Sequence, residues 1–329
     1  MNASKAGPPL ASFAARTKDE EVLKASSSGG IFTELARAVL ARGGVVSGAA
    51  WTEWPLRVAH KVVDDEAGLA ELRGSKYVFS DMKGVWGELQ RFLSEGRLVL
   101  FTGVPCQTAA VRHRFRNADN LLLCGVICHS GPDPKVWRTY ADGLERKARS
   151  RLVGVRFRDK TDGWQRCRMV LEYEDVRKNT SMPLPDNEYY RAFGEGLAAR
   201  DICLRCPFRS GRAGQDLLLG DFWGIDKVLP DWNDGRGVSA VMACSERGLS
   251  FFNALDIERE QVKYEQILEK NPMLEHVAVP DAAQRRFFLE HYGQIGVERA
   301  LRLVRHGKWT RRVLLWWVNG IRRFSKRAN

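Results

Sequence analysis

A short strand with no polar residue, Leu98-Val99-Leu100-Phe101, runs directly into the loop Thr102-Gly103-Val104-Pro105-Cys106, and a helix over 107–115 follows. The same figure recurs at 121–127, a second buried strand that runs into Cys128-His129. Strand–loop–helix units of this kind point to an α/β sheet whose loops gather at one edge. Ligands bind at the carboxyl ends of such strands. Around these units, helical spacing of Ile31, Leu35 and Val39 predicts a helix over 31–41, opened by Ser26-Ser27-Ser28-Gly29-Gly30 and closed by Gly43-Gly44. Strands are expected at 45–51 and 57–63, and helices at 67–73 and 84–94. Beyond Arg151 the texture changes: 152–157 and 168–173 read as an antiparallel pair joined through Asp162-Gly163. Strands at 217–219 and 238–243 and helices at 247–256 and 281–305 complete the pattern.

Cysteine usage narrows the chemistry. The chain has seven cysteines, an odd number, and Cys203-Leu204-Arg205-Cys206 is a clip that lets two sulfurs face one ion or cluster edge. That argues for thiolate ligands in a reducing compartment and against a disulfide framework. Cys106 and Cys128, each in a loop, would complete a four-thiolate set suited to a [4Fe–4S] cluster or to a structural zinc. Read singly, each is a small buried hydrophobe. Cys124, Cys167 and Cys244 lie in apparent strands and read as core.

Charge excludes one function class. The net charge is +12, but the last 31 residues hold ten Lys or Arg and no acid, which leaves +2 for the rest. A body so nearly neutral shows no basic face for nucleic acid. The tail itself reads as a basic amphipathic helix over 308–327, with Val313, Leu314, Trp317, Ile321 and Phe324 on one face and Arg311, Arg312, Arg322 and Arg323 on the other. Such a helix fits an anionic membrane surface or a partner protein, or equally packs on the chain's own core. No apolar run approaches the ~20 residues that span a bilayer, and 1–17 lacks the apolar core of a secretory signal. The expected location is cytoplasmic, with the inner face of the membrane as the place where the tail would act.

Four further constellations are candidates. The small residues of 26–30 leave backbone N–H groups free to face a phosphate at a helix start, or form an ordinary serine cap. Lys76 in Gly74-Ser75-Lys76-Tyr77 would meet a phosphate or a flavin, or be a solvated lysine. Asp221 in Gly220-Asp221-Phe222-Trp223-Gly224 would sit against a planar ring, or belong to a structural turn. His129 would donate to a cluster sulfide or protonate a substrate, or simply pack.

Taken in order, Ser26-Ser27-Ser28-Gly29-Gly30, Gly74-Ser75-Lys76-Tyr77, Thr102-Gly103-Val104-Pro105-Cys106-Gln107, Cys128-His129, the clip and Gly220-Asp221-Phe222-Trp223-Gly224 resemble the beta subunit family of coenzyme F-420 hydrogenases and dehydrogenases. The resemblance spans about residues 25–250. It implies an iron–sulfur flavoprotein oxidoreductase that passes electrons among a [4Fe–4S] cluster, FAD and a deazaflavin such as coenzyme F-420 or another acceptor. It implies Cys106, Cys128, Cys203 and Cys206 as cluster ligands, and Ser27, Ser28, Gly29, Gly30, Lys76, Tyr77, Thr102, Gly103 and Gln107 as flavin-site positions. Hydride exchange at the flavin N5, with single electrons relayed through the cluster, is the implied chemistry. His129 and Asp221 are the candidates for acid–base work.

Two departures accompany the resemblance. No cysteine precedes Cys106, so the chain looks like the C-terminal flavin and iron–sulfur part without the N-terminal ferredoxin module, and an external donor such as a ferredoxin is expected. The family's Cys-His-Gly is Cys128-His129-Ser130 here. The expected organisation is a flexible lead-in over 1–24, an α/β flavin-binding part over 25–150, a part with α+β elements and the clip over 151–295, and the basic tail over 296–329. The expected architecture is a mixed sheet flanked by helices with cluster-binding loops, in an oligomer or a complex. Two other functions fit the same residues: a reductase of a sugar or lipid-linked intermediate in polysaccharide biosynthesis, and a zinc-bound scaffold of such a complex.

Overall fold

The computed structural model describes residues 8–53, 55–209 and 213–304. Its strands are β1 (Ala11–Arg16), β2 (Val45–Trp51), β3 (Val58–Val63), β4 (Val99–Gly103), β5 (Leu121–Val126), β6 (Leu152–Asp159), β7 (Arg168–Tyr173), β8 (Thr180–Pro183), β9 (Leu217–Asp221), β10 (Ser239–Ala243) and β11 (Glu258–Val262). Eight of them form one sheet in the order β11-β1-β10-β9-β5-β4-β2-β3, and β6-β7-β8 form a second. The four central strands β2, β4, β5 and β9 run parallel. Antiparallel strands flank them on both sides. The expected α/β architecture with a mixed sheet and flanking helices is the one observed.

Alternation along β4 and β5 explains why an unbroken apolar run belongs at the centre. Successive side chains point to opposite faces. Val99, Phe101, Leu121 and Leu123 pack on Leu89 and Phe92 of the helix Val85–Ser94 and on Val111 of the helix Pro105–Arg114. Leu100, Leu122 and Cys124 face the other way, onto Leu35 and Val39 of the helix Ile31–Leu40. Both faces are thus covered, and each fully buried side chain of this size contributes about 1.5–3 kcal/mol. The smaller sheet packs Phe157, Met169 and Leu171 on Trp137, Tyr140 and Tyr189, a core of its own beside the first.

Three expectations are corrected. The lead-in placed at 1–24 contains β1, which pairs with both β10 and β11, and the helix Glu20–Ala25. The segment Ala-Ser-Phe-Ala-Ala-Arg is held by its partners' hydrogen bonds, for it has too few large side chains to announce a strand. The division at 150/151 does not separate two sheets, because β9, β10 and β11 complete the sheet that β2, β4 and β5 begin. The single helix expected at 281–305 is two, Ala282–Ile295 and Val297–Val304, broken where Gly296 takes φ 88°. Ala300, Leu301 and Val304 of the second are buried, so the start of the expected tail belongs to the core. The docking helix expected over 308–327 lies outside the described residues. No helix among the described residues is long and apolar enough to cross a membrane.

Candidate functional site

A cleft of about 590 Å³ crosses the carboxyl ends of β2, β4, β5 and β9, where Ala49, Thr102, Gly103, Val126, Gly220 and Asp221 line it. This is where a doubly covered parallel sheet leaves its loops free to hold a ligand. Every residue expected at a flavin site lines the cleft except Gly29. A Cβ at Gly29 would stand 2.4 Å from the Ala15 carbonyl oxygen and 2.7 Å from the Ser239 nitrogen, so this glycine lets the loop lie against β1 and β10. Its neighbour Gly30 takes φ 80° and begins the helix Ile31–Leu40 without a side-chain cap, which leaves that helix start open toward the cleft.

Several lining side chains spend their hydrogen bonds on the protein. The Ser27 hydroxyl accepts from the Ser75 amide and hydroxyl at 2.8 and 2.9 Å, joining two of the motifs. The Ser28 hydroxyl donates to the Val238 carbonyl at 2.8 Å. Lys76 Nζ donates to the carbonyls of Leu72, Arg73 and Gly74, the end of the helix Glu66–Leu72, at 2.8–3.2 Å. Burial holds its pKa down to about 8. Lys76 therefore fastens the wall of the cleft and has no proton left for an anion. Thr102 donates to the Ser47 carbonyl, and Gln107 closes the turn after β4 by accepting from the Val104 amide and donating to Ser80.

The two acid–base candidates are similarly engaged. Asp221 accepts from Arg158 at 2.8 Å and from Trp164 Nε1 at 3.0 Å. His129 Nε2 donates to the Gly194 carbonyl at 3.0 Å, its ring lies 5.0 Å from that of Phe193, and burial lowers its pKa. The tautomer follows from the partner, since a carbonyl only accepts. Both side chains are thus hydrogen-bonded to the protein at the edge of the cleft.

Cys106 sits in the first turn of the helix Pro105–Arg114, Cys128 follows β5, Cys203 lies within the 3₁₀ turn Asp201–Arg205 and Cys206 directly follows it. Of the four, Cys128 lines the cleft. Burial pushes the Cys106 thiol up to about 11 and the Cys128 thiol up to about 12. Cys203 and Cys206 add to the push on Cys106, and Cys106, Cys203 and Cys206 add to that on Cys128, because neighbouring thiolates disfavour one another. The Gly131 amide donates to Cys203 Sγ at 3.3 Å, tying the clip to the loop after Cys128. Among the described residues no three His, Cys, Asp or Glu side chains are drawn together as a finished metal cage.

Two family profiles of the coenzyme F420 hydrogenase/dehydrogenase beta subunit match the chain, the C-terminal one over residues 96–270 and the N-terminal one over residues 12–86. The chain belongs to the coenzyme F420 hydrogenase/dehydrogenase beta subunit family. Its N-terminal match corrects one expectation: this F420 hydrogenase/dehydrogenase family member is not the C-terminal part alone, and the family's N-terminal part begins with β1. No curated protein matches it. A chain of the F420-reducing [NiFe] hydrogenase complex from Methanosarcina barkeri shares its fold, with TM-score 0.53 over 90% of each chain at 19% identity.

Two arginines of this family member escaped the sequence reading. Arg158 crosses from β6 to Asp221 and lies 5.4 Å over the Trp223 ring, which stacks on Trp164 with centroids 5.0 Å apart. Arg209 donates to the carbonyls of Cys128, His129 and Met273 and is buried. An arginine next to a strand's polar end reads as solvent-facing, so Arg158 gave no signal. Arg209 stands three residues after Cys206, and that spacing was the one available hint.

Proposed function

We propose that the chain is an electron-transferring oxidoreductase subunit in which Cys106, Cys128, Cys203 and Cys206 hold a [4Fe–4S] cluster beside FAD in the cleft. One observation carries the reading. The Gly131 amide on Cys203 Sγ at 3.3 Å ties the clip to the loop after Cys128, the clip's sulfurs add to the burial that raises the Cys106 and Cys128 thiols, and Cys128 lines a cleft that crosses four parallel strands. Thiols crowded in this way are costly as neighbouring thiolates and favourable as ligands of a cationic centre. The donor chemistry fits a cluster, and in this reading the loops close on it as it loads.

A bound flavin supplies two-electron exchange and a cluster supplies single-electron steps. The chain's part is to hold and shield. The uncapped start of the helix Ile31–Leu40 offers backbone N–H groups to a phosphate of the dinucleotide, with the helix dipole in support. Ser27, Ser28, Gly30, Tyr77, Thr102, Gly103 and Gln107 shape the wall, Lys76 braces it, and Gly29 seats the loop. Asp221, neutralised by Arg158, keeps a free carboxylate away from an electron-rich ring. His129 holds the cluster loop against Gly194. The acceptor is a deazaflavin such as coenzyme F420 or a related two-electron carrier, an external protein such as a ferredoxin supplies single electrons, and the chain works as one subunit of a complex.

Replacement of the clip tests the reading. Cys203→Ala and Cys106→Ala, purified without oxygen, are each expected to lose most of their iron while staying folded. Retention of full iron in both would remove the shared site.

A further inference from the structure

Seven buried side-chain polar atoms have no hydrogen-bond partner among the described residues, and two of them flank the cysteines. One is the Ser130 hydroxyl, 8% exposed and lining the cleft, two residues after Cys128. The other is the Arg209 Nε–H, on a guanidinium whose remaining nitrogens are spent on the Cys128, His129 and Met273 carbonyls. A buried hydroxyl left unpaired costs roughly 1–3 kcal/mol. Two unpaired donors, one in the loop that carries Cys128 and one gripping its carbonyls, therefore mark a missing acceptor. The neighbouring Gly131 amide already donates to Cys203 Sγ at 3.3 Å, so this loop is aimed at sulfur.

We propose that Ser130 is a positioning residue whose hydroxyl donates a hydrogen bond to a sulfur of the centre bound at Cys106, Cys128, Cys203 and Cys206, and so raises its reduction potential. The inference rests on the cluster reading given above. A hydrogen bond to a sulfur favours the more negative, reduced state. Reduction adds one electron to the centre, with no bond formed or broken in the chain. Arg209 fixes the backbone that aims Ser130, by gripping the carbonyls of the two residues before it.

The test uses the full chain, reconstituted without oxygen, and titrates the centre with dithionite and mediators while spectra are recorded. Iron and sulfide are assayed in each sample. Ser130→Ala is expected to keep its iron and to shift the reduced-to-oxidised ratio at fixed potential about three- to tenfold toward oxidised, the size of one hydrogen bond. Tenfold is about 59 mV for one electron. Ser130→Thr keeps the hydroxyl and is expected to restore the potential. An unchanged potential in an iron-replete Ser130→Ala protein overturns the role of Ser130 and leaves the cluster reading standing. Wild-type protein that takes up no iron overturns both.

Discussion

Arg158 on β6 and Asp221 at the end of β9 form a buried ion pair, Nη1 to Oδ2 2.8 Å, with side chains 6% and 17% exposed. The pair is the polar bolt between the smaller sheet and the larger one, at the edge of the cleft. Removing one partner leaves the other charged and buried, at a cost of about 3–5 kcal/mol. Arg158→Met and Asp221→Leu are each expected to fall by that amount in urea unfolding. The double variant is expected to recover much of the loss, and additive losses would show that the two residues do not act on each other.

His60 is 5% exposed, stacked on Phe101, and its Nε2 donates to the Thr102 carbonyl at 3.0 Å. Burial lowers its pKa to about 4 against an ordinary 6.5. The folded pKa is depressed, so the unfolded chain binds the proton first as pH falls. Stability due to neutral His60 is complete above pH 6.5 and is lost as pH drops toward 4, about 3 kcal/mol in all. Unfolding measured at pH 7, 6, 5 and 4 should show this slope, and His60→Phe should flatten it.

Gly29 has no room for a methyl group, because the obstructing atoms are backbone of β1 and β10. Gly29→Ala is expected to cost about 1–3 kcal/mol of stability or more. A thermal melt unchanged from wild type would contradict the packing of the 26–30 loop on these strands.

The Cys106 and Cys128 thiols, pushed up to about 11 and about 12, are almost wholly protonated in the metal-free chain. At pH 8 about a thousandth of Cys106 is thiolate, so alkylation by iodoacetamide is expected to be slow and to accelerate steeply above pH 10. Rapid labelling of both residues at pH 8, located by mass spectrometry, would contradict the burial of these thiols.

The sheet centre and the loops of Cys106 and Cys128 were legible because an unbroken apolar strand must be covered on both faces, and such strands end in ligand-bearing loops. The coarse helices were legible from periodicity, and the family resemblance from motif order. What escaped was set by long-range contact. β1 exists through its pairing with β10 and β11. Lys76 lines the cleft but gives its Nζ to three carbonyls, which a lysine beside a glycine turn does not reveal. Asp221 is paired with Arg158, 63 residues earlier, a partner that its own motif does not reveal. Gly296 breaks a helix whose side-chain pattern continues across it.

The central claim is that four cysteines hold a cluster beside a flavin, and a visible spectrum of the protein purified without oxygen, with iron, sulfide, zinc and flavin assays, tests it most directly. The account predicts flavin bands over a broad cluster absorption, with about four iron and four sulfide per chain and loss of both in Cys203→Ala. A colourless protein that carries one zinc per chain after anaerobic purification and reconstitution would contradict it.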